Sequence, residues 1–341
     1  MKLKYLLFIW GILFFPWKDT QAQSMISGLG SIRANGVIRC GTNLSVNALT
    51  RKSEFGYYEG IDPTLCSILS LAIFGLPDNY KMIHIDDNQA DQAIALGKID
   101  VMFGNSYTTA SSEIDGYSTS AATIYYDRLL MLAKTDKKPN SMLDLQNENV
   151  CIVSKSPDQE NFAEYLRKYD LKLHQLKFAN FQSAKASLLL NRCKLLVGNE
   201  TILSAVADEL KNRKDIFLLP EEIDYHPIYA LVSKNNADLK TIVKWVINAL
   251  IMAEENNITS KNISIMTGDN NMSLRNLLGT NPQIWKKLHL QPDWLKKAIK
   301  QYGNYAEIYE KNLGKESPFK LPRGKSNLIK NGGTFKSQAF L

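Results

Sequence analysis

Apolar positions over the first two-thirds of the chain fall into two alternating kinds of run. Short apolar blocks predict strands at Val37 to Cys40, Tyr80 to Ile85 and Ile99 to Phe103. A second set follows at Val150 to Val153, Leu173 to Phe178, Leu195 to Val197 and Ile216 to Leu219. Between them lie longer stretches with helical spacing. From Asp62 to Phe74, the residues Leu65, Ile68, Leu69, Ala72 and Ile73 share one face. Asp62 suits the cap, Pro63 the first turn and Gly75 the stop. Further helices are predicted at Gln89 to Leu96, Ser156 to Tyr169, Phe181 to Asn191 and Thr201 to Asn212.

Strand–helix alternation with short loops implies a parallel sheet covered on both faces. Two such sets predict an α/β fold of two doubly wound lobes. Gly104-Asn105 and Gly198-Asn199 each follow the third strand of their set. Ligands in open α/β sheets bind beyond the carboxyl ends of strands, so both pairs should face a shared cleft. Two extended apolar stretches, Tyr125 to Ala133 and Ile228 to Ser233, read as crossing strands that form a hinge. The expected lobes are therefore 23–127 with 228–341, and 128–227. A helix at Leu239 to Glu255 should pack on the first lobe. Tail helices follow at Met272 to Leu278, Gln283 to Leu288 and Trp294 to Asn312, with surface loop expected from Ser317 on.

Residues 1–22 read as a secretory signal peptide, with Lys2 and Lys4 ahead of an apolar core from Tyr5 to Trp17 and Thr20-Gln21-Ala22 at the cleavage site. The alternative is an uncleaved anchor. No later run is long enough to span a bilayer. The net charge is +7, with lysines spread over the C-terminal third, as at Lys286-Lys287, Lys296-Lys297 and Lys300. A nucleic-acid binder would carry a denser basic stripe with interleaved aromatics, so that class is disfavoured. Cys40, Cys66, Cys151 and Cys193 form no CxxC pair, and His84, His174, His226 and His289 are scattered, which speaks against a metal site. The cysteines fit an oxidising compartment.

Several segments in order carry a family resemblance: Ile32-Arg33-Ala34-Asn35-Gly36, Arg39-Cys40-Gly41, Gly60-Ile61-Asp62, Arg192-Cys193, Arg275-Asn276-Leu277-Leu278-Gly279-Thr280, Arg323-Gly324 and Asn331-Gly332-Gly333. The chain resembles the long, general L-amino-acid-binding proteins of bacterial ABC uptake systems, a branch of the periplasmic solute-binding proteins. That resemblance implies a two-lobed clamp that closes over an amino acid in the periplasm and docks, as a monomer, on an inner-membrane permease. It implies no catalytic residue, no cofactor and no metal. It also implies disulfides Cys40–Cys66 and Cys151–Cys193.

The site departs from the family pattern. The resemblance places an arginine for the ligand carboxylate where this chain has Ser112, and an aspartate for the ammonium where it has Asn199. Asn105, Tyr107, Ser112, Lys155, Ser156, Asn199 and Glu200 are the expected cleft residues. Desolvated charges need partners, so three readings stay open. The cleft takes a less zwitterionic polar solute. Or it re-anchors an amino acid, with Lys155 for the carboxylate and Glu200 or Asp127 for the ammonium. Or it has lost capture and serves as an exported interaction protein. A dehydratase acting on prephenate-like acids would need cationic clamps that the loop after Asn105 lacks.

Overall fold

The computed structural model describes residues 28–44, 46, 48–104, 108–139, 141–266 and 271–341. The expected signal peptide and the candidates Asn105 and Tyr107 lie outside them.

The first half opens with helix α1 (Leu29–Asn35), strand β1 (Ile38–Thr42) and the hairpin β2 (Arg51–Lys52) and β3 (Tyr58–Glu59). Helix α2 (Ile61–Phe74), β4 (Tyr80–His84), α3 (Ala90–Ala95), β5 (Val101–Met102) and α4 (Ala110–Asp115) follow. The long strand β6 (Ser118–Lys134) leads into β7 (Asn149–Val153), α5 (Pro157–Lys168), β8 (His174–Phe178), α6 (Phe181–Leu189), β9 (Leu195–Asn199), α7 (Glu200–Glu209) and β10 (Ile216–Leu218). Strand β11 (Asp224–Ser233) returns the chain, and α8 (Ala237–Glu255), α9 (Met272–Leu277), α10 (Gln283–Lys287), α11 (Trp294–Tyr302) and α12 (Tyr305–Asn312) complete it.

One sheet runs through the molecule in the order β4-β1-β5-β11-β6-β9-β7-β8, with β10 also on β6. Strands β1, β4 and β5 are mutually parallel at one end, as are β7, β8 and β9 at the other. The two sets are joined by β6 and β11, which pair antiparallel from Ser118↔Ser233 to Leu129↔Asp224. Just past that point β6 pairs with β9, from Leu129↔Asn199 to Ala133↔Leu195. The two expected crossing strands are thus one continuous ribbon, longer than the apolar stretches suggested.

Each half has its own core. Around β1 and β5, α2 and α8 bury Leu65, Ile68, Leu69, Ile242, Val246 and Leu250 against Ile38 and Val101. In the other half the two faces of β6 separate by pleat. Leu129 and Met131 pack with Phe162 of α5 on one side, and Leu130 and Leu132 pack with Leu188 and Leu203 of α6 and α7 on the other. Disulfides Cys40–Cys66 and Cys151–Cys193 each close within one half.

Two expectations change. The helix expected at Trp294 to Asn312 is two, because Gly303 has φ 89° and a side chain there would meet Glu307. The segment after Ser317 is not a surface loop. Leu321, Leu328, Phe335 and Phe340 are buried. Asn248 of α8 exchanges bonds with the backbone of Gln338 at 2.9 and 2.7 Å, and Asn276 donates to the Phe340 carbonyl at 2.7 Å. Phe340 then packs on Trp285 and Trp245. Helices α1 and α4 were not predicted; both are short and weakly periodic. Among the described residues no helix is long and apolar enough to cross a membrane.

Candidate ligand cleft

A cavity of about 750 Å³ lies where the carboxyl ends of both strand sets face each other. Asn43, Val46, Asp86 and Asn88 line it from one half. The Ser154–Asp158 turn, Asn180, Gln182, Gly198 and Asn199 line it from the other. Each lining loop follows a strand: Asn43 follows β1, Asp86 follows β4, the Lys155 turn follows β7, Asn180 follows β8 and Asn199 ends β9. Such a volume lies within the roughly 300–1,000 Å³ of small-molecule sites.

Lys155, Ser156 and Asn199 come together in this cavity. Lys155 has φ 56° and its backbone N–H donates to Gln159 Oε1 at 2.9 Å, which fixes the turn. Its exposed ammonium has no ion-pair partner among the described residues. Ser156 caps α5: its Oγ accepts from the Gln159 N–H at 3.3 Å and donates to the Val153 carbonyl at 2.9 Å. Pro157 opens the helix without an N–H to satisfy.

Asn199 occupies the cap position of α7, where asparagine ordinarily accepts from the first-turn N–H groups. It does not do so here. Asp127 of β6 takes that part: its Oδ1 accepts from the Thr201 N–H at 3.2 Å, and its Oδ2 accepts from the Thr201 hydroxyl. Asn199 is thereby released. It is 2 % exposed, and its Oδ1 has no hydrogen-bond partner among the described residues. An unpaired buried carbonyl oxygen is costly, and a ligand N–H would satisfy it.

The remaining candidates have other partners. Glu200 is held by Arg128, whose Nε donates at 2.7 Å and whose Nη2 makes a second bond; Arg128 Nη1 reaches Glu222 at 2.8 Å. Those carboxylates raise the Arg128 pKa. Ser112 is exposed, and its Oγ accepts from the Thr109 N–H at 2.8 Å in a capping box at the start of α4. Neither Ser112 nor Glu200 lines the cavity. Asp127, the other ammonium candidate, is fully buried. Burial pushes its carboxyl up to about 7, opposed by the Thr201 bonds and reinforced by Glu200. Beside it, His226 of β11 meets Asp158 at 3.1 Å. Burial lowers the His226 pKa, but Asp158, Asp224 and Asp127 together raise it and the net direction is upward.

Asp86, Asn43, Asn88, Asn180 and Gln182 escaped the sequence reading. Their signal was position alone, since each lies in or just after the loop that leaves a strand at its carboxyl end. Asp86 matters most, because it sets a carboxylate on the wall opposite Lys155. No cluster of metal-ligating side chains occurs among the described residues.

No protein-family model matches the chain. Curated relatives do. The general L-amino acid-binding periplasmic protein AapJ of Rhizobium johnstonii is 30% identical over 308 residues, covering 89% of this chain and 90% of the relative. The glutamate/glutamine/aspartate/asparagine-binding protein BztA of Rhodobacter capsulatus is 26% identical over 315 residues, covering 92% and 93%. Among solved structures, an ABC transporter/periplasmic binding protein from Brucella ovis with glutathione bound aligns with a TM-score of 0.82. It is 29% identical and covers 91% of this chain and 98% of that one. Similarity of this extent, on a two-lobed fold with the cavity between its lobes, means that the chain belongs to the periplasmic solute-binding proteins of amino-acid ABC transporters.

Proposed function

We propose that this protein captures a polar amino acid or a related small solute between its two lobes and delivers it to an inner-membrane permease. The lobes are 23–127 with 228–341, and 128–227. Lys155 receives the ligand carboxylate, Asn199 Oδ1 accepts from its nitrogen, and Asp86 faces that nitrogen from the opposite lobe. Ser156 borders the same pocket. Asn105 and Tyr107 stay as proposed rim residues. The unpartnered, buried Asn199 Oδ1 is the observation that carries this reading. It is an acceptor on a cavity where the Lys155 ammonium also has no ion-pair partner among the described residues.

Capture is a population shift between open and closed lobes, with no bond broken; the protein is not an enzyme. It works as a monomer in the periplasm after removal of residues 1–22. A thermal-shift screen of the oxidised protein against the twenty L-amino acids and their amides tests the reading. Stabilisation by a few polar amino acids is expected. A flat response across the panel, with an unchanged radius of gyration, would leave the interaction-protein alternative.

A further inference from the structure

One end of the cavity is the cleft floor at Ser156 and Asn199. The same cavity is also lined by side chains of α6 and α7. They are Phe181, Gln182 and Lys185 from α6 and Ala205, Val206 and Glu209 from α7. Phe181 with Lys185, and Ala205 with Glu209, are four apart, so each pair lies on one helix face. Gly198 sets the mouth, because a Cβ there would meet Phe181 Cε2 at 3.1 Å and Leu203 Cδ2 at 3.3 Å. All of these residues belong to one half, and Ala205 with its neighbour Ile202 also packs against the core of the other half.

Length decides what this groove between α6 and α7 fits. From Ile202 at the cleft to Glu209 is seven helical steps, roughly 10 Å at 1.5 Å per residue. Extended chain covers roughly 3.3–3.6 Å per residue, so the groove matches about three residues, where a free amino acid fills one. At the far end the Lys185 ammonium donates to Glu209 Oε2 at 2.5 Å. The Lys185 side chain is 15% exposed, and that of Glu209 is 55% exposed. The cation is therefore held in the wall while its carboxylate partner is solvated and replaceable.

The geometry points to a second ligand subsite in the α6–α7 groove, built for the distal part of an elongate, peptide-like zwitterion. Its near end sits on Lys155 and Asn199, so the inference rests on the cleft reading proposed above. Its distal carboxylate takes the place of Glu209 on Lys185, and the apolar wall of Ala205 and Val206 carries the atoms between. The glutathione-bound Brucella ovis protein, similar over most of both chains, holds a ligand of that length.

Isothermal titration with glutathione, γ-glutamylcysteine, L-glutamate and L-glutamine tests this on the wild type, Lys185→Met and Ala205→Phe. The wild type should bind glutathione at least about tenfold tighter than glutamate. Each variant should lower that ratio about tenfold or more, one by removing the cation and the other by filling the groove. The two changes are independent, so either decides if the other fails to fold. A wild type that prefers single amino acids, or variants that keep the ratio, would overturn the subsite and leave the cleft reading standing. A wild type that binds none of the four and none of the wider amino-acid panel would overturn the cleft reading, and the subsite with it.

Discussion

At Asn199, one side chain shows how the fold prepares a site. The residue has the type and position of a helix cap, yet Asp127 from the neighbouring strand does the capping. The strand-end Gly-Asn pair was legible in the sequence; the exchange of roles was not, because it depends on a contact between positions 74 residues apart. Glu200 and Ser112 failed to join the cavity for a similar reason, since Arg128 and Thr109 claim them. Asp127 makes a testable contribution of its own. Its folded pKa of about 7 lies above the ordinary aspartate value, so the folded state holds a proton that the unfolded chain releases. Its stabilising contribution is complete below about pH 4 and is lost as pH rises toward 7, on the order of 4 kcal/mol. His226, also raised, acts in the same direction at higher pH. Urea unfolding of Asp127→Asn between pH 4.5 and 7.5 should therefore gain stability relative to wild type as pH rises. A difference that does not change with pH would remove Asp127 as the titrating group.

At the scale of elements, most helices and strands follow from local pattern, because both faces of each half-sheet are buried and the covering helices are amphipathic. Errors cluster where pattern is short. Helix α4 lay inside a Ser/Thr-rich run with no apolar stripe, and none of its residues is buried. The break between α11 and α12 was signalled by Gly303 and by the Asn304–Glu307 capping box that opens α12. The disulfide pairing was implied by resemblance, and the two bridges are found inside separate halves. Cys151–Cys193 closes a loop of 42 residues. Chain entropy assigns such a loop about 4 kcal/mol. The Cys151→Ser/Cys193→Ser variant should lose stability on that order by chemical denaturation, and its loss should be larger than that of any exposed Ser or Thr substitution in α4. A midpoint equal to that of the oxidised wild type would contradict it.

Across the whole molecule, the tail is the part that pattern misread. A Gly-, Pro- and Lys-rich composition suggested surface, but the buried amides Asn248 and Asn276 hold its backbone, and Arg323 reaches Glu254 at 2.7 and 3.0 Å. The same Arg323 lies over the rings of Tyr305 and Tyr309, and nearby Ser326 accepts from the Tyr126 N–H of β6 at 2.8 Å. The tail thus braces the crossing strand close to where it leaves the first half. Phe340→Ala, which empties the space beside Trp285 and Trp245, should cost about 3–5 kcal/mol. Glu254→Gln leaves Arg323 without its counter-charge in a buried site and should cost a similar roughly 3–5 kcal/mol. Both are read by denaturant unfolding; a loss within about 0.5 kcal/mol for either, the range of surface changes, would mean that the tail does not support the fold.

Ligand capture by the cleft is tested most directly by calorimetric titration of wild type, Lys155→Met and Asn199→Leu with the solute that stabilises the wild type best. Hydrogen bonds to charged groups contribute about 1.5–3 kcal/mol, so each variant should bind roughly ten- to 150-fold more weakly while keeping the wild-type unfolding midpoint within a few degrees. Affinity that is unchanged in both variants would contradict the assignment of the ligand to this cleft.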